Sequence, residues 1–261
     1  MPEARTFTFL GCGTSAGVPM IGCACEVCRS TNPKNHRYRC AVLIRTPQGN
    51  ILIDTPPELR LQLVREHVGL IHAVLFTHYH VDHLFGLDDL RPVPKYLGGP
   101  VPLYCAEDTE RIIRQSFAYA FTPEAAQWPV GFVPQLVFRR IEGSKPFRVL
   151  EQDILPVPLI HNKFDVFGFR VDDVAYCTDV NRIEPESMAM LYDLRVLVLD
   201  ALRYKPHPAH FSLNEALDVI AELRPQKAYL THMSHEIDYE VVSRQLPPNV
   251  ALAYDGLSFE F

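Results

Sequence analysis

Residues 77–83 read Thr77-His78-Tyr79-His80-Val81-Asp82-His83, three histidines and an aspartate within a few positions of each other. Imidazole and carboxylate are ligands that first-row divalent metals favour. An apolar run, Ala73-Val74-Leu75-Phe76, leads into them and predicts a buried strand. At the end of a strand the backbone is fixed while the side chains fan out into a cleft. His78 and His80 are two apart, so on an extended chain both point to one side. Asp82 and His83 then fall on the following turn and can reach a second ion. A His-rich loop with solvated imidazoles is the alternative, and it does not account for this density of ligands.

The same pattern returns along the chain. Apolar segments 154–160, 174–178, 196–199 and 227–231 end at His161, Asp179, Asp200 and His232. In open α/β sheets, ligands bind beyond the strand ends, and the same geometric logic applies here. Any one of these residues could be an ordinary polar cap; their recurrence argues for a common cleft. Asp54 closes the strand-like segment 50–53. It is a candidate for holding a metal-bound imidazole from behind, in competition with capping the helical segment 58–67. Cys23-Ala24-Cys25-Glu26-Val27-Cys28 offers three thiols that can wrap one tetrahedral ion and lack a fourth ligand. Unrelated buried cysteines are the alternative. The loop Pro206-His207-Pro208-Ala209-His210-Phe211 can hang His210 into the cleft or leave it solvated.

The elements that must position these residues come from a chain of 261 residues, 48% hydrophobic, long enough to bury a full core. No linker or low-complexity segment interrupts it, so residues 1–261 are read as a single domain. The net charge of −6 argues against a generic nucleic-acid-binding surface. No apolar run approaches about 18 residues, which excludes a transmembrane helix. The first residues show no charged-then-apolar leader. Seven cysteines, three of them crowded together, suit metal-bound thiolates in a reduced compartment better than a disulfide framework. A cytoplasmic protein without a membrane partner is therefore expected.

Further segments read as follows. Segment 6–10 is a strand ending in a small-residue loop, 11–19, that could cradle an anion or simply turn. Residues 35–39 read as a solvated basic loop. Segments 40–46 and 50–53 form a hairpin. A short helix begins within 84–90. A helix over 108–119 would be capped by Asp108 or Thr109. Segments 101–106, 134–140 and 146–149 are strands. The stretch 120–131 could be a lid, a homodimer contact or packing filler. Residues 213–223 form an amphipathic helix capped by Ser212, and 241–245 a second helix. Segments 250–254 and 257–261 are strands flanking Asp255-Gly256.

The His-x-His-x-Asp-His form of residues 78–83 resembles the signature of the metallo-β-lactamase superfamily, with His161, Asp179 and His232 following in its order. More narrowly, the chain resembles the branch typified by the carbon–phosphorus lyase accessory phosphodiesterase PhnP. That likeness is carried by Leu10-Gly11-Cys12-Gly13-Thr14-Ser15, Cys23/Cys25/Cys28, Asp200-Ala201-Leu202-Arg203 and Thr231-His232-Met233-Ser234-His235. The resemblance implies an α/β (α+β) fold, a four-layer αβ/βα sandwich with metals at one edge. It implies that His78, His80 and His161 hold one divalent ion, that Asp82, His83 and His232 hold another, and that Asp179 bridges them. Manganese or zinc is implied at this open site. At the cysteines, His235 would complete a closed Cys₃His structural zinc. Asp54 and Asp200 would back the ligands.

Two ions about 3.5–4 Å apart can hold a hydroxide between them and polarise a phosphoryl oxygen. The resemblance therefore implies hydrolysis of a small, cyclic phosphodiester such as a ribose-derived 1,2-cyclic phosphate. His210 would act as general acid with His207 as the fallback, and Asp82 would serve catalysis as a ligand. Two alternatives remain from the same superfamily: processing of tRNA in the manner of ribonuclease Z, and an accessory role like that of the pyrroloquinoline-quinone biosynthesis protein PqqB. The negative net charge weighs against the first, and the complete ligand set against the second.

Overall fold

Segments such as 41–44 and 196–199 are apolar at every position, the pattern of a sheet covered on both faces. The computed structural model, which describes residues 5–261, shows how each face is covered. Its strands are β1 (Thr6–Gly11), β2 (Ala41–Thr46), β3 (Gly49–Ile53), β4 (Ala73–Leu75), β5 (Val101–Cys105), β6 (Leu136–Arg140), β7 (Phe147–Val149), β8 (Gln152–His161), β9 (Phe164–Val171), β10 (Val174–Cys177), β11 (Val196–Asp200), β12 (Lys227–Thr231), β13 (Val250–Leu252) and β14 (Ser258–Glu260). They form two seven-stranded mixed sheets, ordered β14-β1-β2-β3-β4-β5-β6 and β13-β12-β11-β10-β9-β8-β7. The helices are α1 (Leu59–Arg65), α2 (Val81–Leu84), α3 (Val93–Leu97), α4 (Glu107–Ser116), α5 (Pro185–Ala189), α6 (Leu213–Leu223) and α7 (Tyr239–Ser243).

The sheets pack face to face. Val42 and Ile44 join Val157, Leu159, Phe169 and Leu197 in the core between them, and Phe9 meets Tyr229 across it with ring centroids 5.7 Å apart. The intervening Ala41 and Leu43 point the other way, into a second core shared with Leu59 of α1 and Ile113 of α4. On the far side α6 packs against β11, its start fixed by a capping box in which Ser212 and Glu215 bond reciprocally. This is the four-layer αβ/βα sandwich that the resemblance implies. No helix among the described residues is long and apolar enough to cross a membrane.

Several expectations change. Strand β9 is not foreseen, because Asp165 and Gly168 dilute its pattern; its pairing with β8 along their length forms it instead. The two strands expected within 250–261 are both present but part company: β13 closes one sheet and β14 the other. Asp255, in the crossing between them, accepts the N–H groups of Cys12 at 3.1 Å and Tyr38 at 2.8 Å. The helix expected within 84–90 begins earlier, at Val81, so Asp82 and His83 sit on its first turns, and a separate 3₁₀ turn covers Leu87–Leu90. Helix α4 starts at Glu107 with Ala106 at its cap. Asp108 and Thr109 thus lie inside the first turn, where acidic side chains complement the helix dipole. In the 11–19 loop three N–H groups are spent within the protein. Gly13 N–H donates to Tyr38 O at 2.8 Å, Thr14 N–H to Met233 O at 3.2 Å and Gly17 N–H to Thr14 O at 2.8 Å.

Nor is 35–39 a solvated loop. Arg37 is 1% exposed. It donates to Ser234 O at 3.0 Å, to Ile237 O at 2.7 Å and to Asn35 Oδ1 at 3.2 Å. A sequence window cannot show this, because two of its partners lie about two hundred residues away. Arg37→Met would take this donor from the Ser234 and Ile237 carbonyls, so a loss of about 2–4 kcal/mol is expected. Thermal unfolding checks it; a melting temperature equal to that of the wild type would show that the latch carries no stability.

Candidate functional site

The ends of β3, β4, β8, β10, β11 and β12 converge at one edge of the sandwich. Three of the residues that turn the chain there sit in the left-handed region: Asp54 at φ 65°, Asp179 at φ 53° and His232 at φ 58°. For non-glycine residues such backbone costs about 1–3 kcal/mol and recurs at functional sites. The segment carrying α2 is drawn close behind them. Gly86 N–H donates to Thr55 O at 2.8 Å, and a Cβ at Gly86 would lie 2.0 Å from Pro56 O, so only glycine permits the approach.

The structure gathers the expected residues into two adjoining groups, His78/His80/His161 and Asp82/His83/Asp179/His232, whose ligand atoms lie within 4.8 Å of one another in each group. Asp179 belongs to both neighbourhoods, since it also falls within 4.8 Å of His161 and His210. Its Oδ2 is 3.1 Å from His83 Nε2 and its Oδ1 is 3.2 Å from His232 Nε2. Asp82 Oδ2 lies 3.5 Å from His83 Nε2 and 3.9 Å from His232 Nε2. The rings of His78 and His83 have centroids 4.4 Å apart.

The far nitrogens of these imidazoles are held from behind. Asp54 is fully buried and orients two of them at once. Its Oδ2 accepts His83 Nδ1 at 2.7 Å and Thr77 Oγ1 at 2.8 Å. Thr77 Oγ1, its own proton directed at Asp54, then accepts His78 Nδ1 at 2.9 Å. Asp54 therefore does not cap α1, whose N-cap is Glu58. His161 Nδ1 donates to Ala209 O at 2.7 Å. These bonds set the tautomers with Nδ1 protonated, and so direct the lone pairs of Nε2 into the cleft. His78 Nε2, His83 Nε2 and His232 Nε2 are buried and make no hydrogen bond within the protein. Buried polar atoms without partners are rare, and lone pairs converging beside carboxylates fit divalent cations.

Electrostatics separate the groups. Burial pushes the imidazoles of His78, His80 and His161 below the usual histidine range. Burial opposes the charge of His232 too, but Asp179, Asp82 and Asp200 outweigh it and raise that group to about 9. The carboxylates likewise raise His83. Asp179, despite its burial, is lowered by His232 and His83.

Asp200 bridges toward the rim. Its Oδ2 accepts His210 Nδ1 at 2.8 Å and Val180 N–H at 3.0 Å, and its Oδ1 lies 3.6 Å from His232 Nδ1. His210 stacks on His232 with centroids 4.5 Å apart at 16°. His207 also reaches the cleft, its Nδ1 accepting Ala209 N–H of its own loop at 3.2 Å.

The cysteines form a separate cluster. Cys23, Cys25, Cys28 and His235 bring their ligand atoms within 4.8 Å of one another, with Cys23 Sγ and Cys25 Sγ 3.5 and 3.4 Å from His235 Nδ1. A tetrahedron with Zn–S of about 2.3 Å and Zn–N of about 2.0–2.1 Å has S···N edges of about 3.6 Å. The Cys28 N–H donated to Cys25, together with His235, lowers that thiol to about 6; burial raises Cys28 to about 11. All seven cysteines are unbridged.

The sequence reading missed the roles of Thr77, which relays Asp54 to His78, and of Arg37, which ties the 35–39 segment to the one carrying His235; it also missed Phe164, which opens β9 and lines the cavity.

Comparison with known proteins places this geometry. The family model described as beta-lactamase superfamily domain matches residues 49–233. A crystal structure of a new diphosphatase from the PhnP family is 40% identical and superposes with a TM-score of 0.93, over 100% of this chain and 98% of that one. A zinc-bound PqqB from Methylobacterium extorquens, at 17% identity and TM-score 0.82 over 98% of this chain and all of that one, shares the fold. So does the short form of human tRNase Z, at 18% identity and TM-score 0.69 over 97% of this chain and 98% of that one. A protein of Porphyromonas gingivalis named octanoyltransferase is 34% identical over 95% of this chain, which spans 50% of its length. The chain belongs to the beta-lactamase superfamily and, within its metallo-β-lactamase fold, to the PhnP family.

Proposed function

We propose that the chain is a metal-dependent hydrolase that cleaves a P–O bond in a small phosphodiester. The observation that carries this reading is the pair of adjoining ligand groups with Asp179 within reach of both. His78, His80 and His161 would hold one cation, Asp82, His83 and His232 the other, with Asp179 between them. Nitrogen and oxygen ligands suit manganese or zinc, and the Cys₃His cluster suits a structural zinc. When bound, the ions of the cleft supply charge that polarises a phosphoryl oxygen and acidifies the attacking water.

The other steps belong to the protein's own residues. Asp54 and Ala209 O hold the imidazoles in the binding tautomer. Asp200 holds His210 through Nδ1, so its Nε2 is the atom left to deliver a proton to the departing alkoxide. His210 is preferred to His207, because a carboxylate, Asp200, holds its Nδ1 at 2.8 Å and favours the protonated ring, whereas His207 Nδ1 meets only a backbone N–H. Asp54→Ala is expected to weaken metal affinity at the open site by about 10–100-fold. Titration with manganese measures this; unchanged affinity would remove Asp54 from the site's support.

A second reading is favoured by one finding: the 40% identical structure is named a diphosphatase, which points to a P–O–P linkage cleaved with the same machinery. Purified protein, loaded with manganese or zinc, should be assayed on cyclic and linear phosphodiesters, diphosphates, precursor tRNA and an octanoyl thioester. The expected order puts a small cyclic phosphodiester first. A clear preference for the diphosphate would install the second reading. Turnover of none of the phosphorus compounds by metal-loaded protein would sink both.

A further inference from the structure

The candidate ligands form one wall of the cleft. The cavity before them has a volume of ≈ 350 Å³, and its remaining walls are Ser15, Asn162, Phe164, His207, Ala209 and His210. No lysine or arginine among the described residues lines it. The part of a substrate beyond the phosphate at the cations thus meets small polar groups, imidazoles and one phenyl ring, without a guanidinium or ammonium to neutralise a second anion.

That ring is placed by sheet register. Phe164 opens β9 directly opposite His161, the last residue of β8. Directly paired residues emerge on the same face of a sheet. The register that delivers His161 to the ligand group therefore delivers Phe164 to the same cavity. The ring plane lies nearly perpendicular to that of His80, with centroids 5.6 Å apart at 83°, and to that of Tyr79 at 6.1 Å and 82°. It remains 42% exposed. The turn that carries it is fixed: Asn162 is left-handed at φ 58°, and its N–H donates to Asn181 Oδ1 at 2.6 Å. A large, partly exposed aromatic ring on a hydrogen-bonded turn in the wall of the cavity is a surface on which a planar group stacks.

We propose that Phe164 determines specificity by stacking on an uncharged planar ring, of nucleobase type, in the non-phosphate part of the substrate. The proposal rests on the phosphodiester reading above. Wild type, Phe164→Ala and Phe164→Trp, each loaded with manganese, would be compared on adenosine 2′,3′-cyclic phosphate and on a ribose 1,2-cyclic phosphate that has no base. Phe164→Ala is expected to raise KM for the adenosine substrate by about tenfold, with kcat and the KM of the base-free substrate changed by less than about twofold, and Phe164→Trp to restore it. Independently of turnover, calorimetry should show adenosine 2′-monophosphate binding Phe164→Ala about tenfold more weakly, at equal metal content. Equal losses on both substrates would mean that the ring merely supports His80, and would overturn the proposal. If wild type cleaves neither substrate, the phosphodiester reading falls, and calorimetry still decides the subsite: weaker nucleotide binding by Phe164→Ala upholds it, and equal or absent binding overturns it.

Discussion

His210→Ala is expected to lower kcat on an alkyl phosphodiester by about 10²-fold or more, the range for losing a general acid, with metal content unchanged. The alkoxide that leaves such a substrate is a strong base and needs a proton as the bond breaks. His210 is 9% exposed, lines the cavity and is anchored through Nδ1 by Asp200 at 2.8 Å. A p-nitrophenyl ester separates this role from simple support, since p-nitrophenolate departs without protonation. On that ester the loss should shrink to less than about tenfold. Equal losses on both esters would refute the acid assignment. So would a missing metal equivalent, because His210 also lies within 4.8 Å of His161 and Asp179 and would then be acting as a ligand.

Cys25→Ser should remove one metal equivalent and lower the melting temperature. If zinc affinity falls about a thousandfold, about 4.1 kcal/mol of linked stability is lost. At about 2–4 °C per kcal/mol for a chain of this size, the melting temperature drops by about 8–16 °C. The tertiary arrangement explains why one side chain carries so much. The cluster joins the loop after Pro19 to the segment after β12 through His235, alongside the pairing of Thr14 with Met233 and the Arg37 latch. His235→Ala should reproduce the effect. Equal metal stoichiometry in wild type and both variants would leave the cysteines as packing residues.

Much of the site is written locally. Apolar runs that end in His78, His161, Asp179, Asp200 and His232 are legible because strand burial and the two-residue alternation of side chains are properties of adjacent residues. The amphipathic helix over 213–223 is legible for the same reason, and its Ser212 cap is found where the sequence places it. The cysteine spacing points to a candidate metal cluster, although its fourth member enters only through the family resemblance. Where local pattern failed, a long-range contact had decided. Strand β14 joins the sheet opposite to that of β13 through its pairing with β1. Arg37, one of three basic or imidazole side chains in a five-residue stretch, is buried because carbonyls of the 234–237 segment receive it.

The sequence by itself determined the candidate ligand types, their positions at strand ends, the two separate clusters to which they belong and, through resemblance, the family to which they point. Only the tertiary structure decided that one carboxylate, Asp54, orients both His78 and His83, that His210 rather than His207 rests on Asp200, and that Phe164 shares a cavity with His161. The physical reason is the range of the interactions. A strand end and its side-chain alternation are set within a few residues. The tautomer of an imidazole, the left-handed turns at Asp54, Asp179 and His232, and the register of β8 against β9 are set by groups that meet only when the two sheets pack.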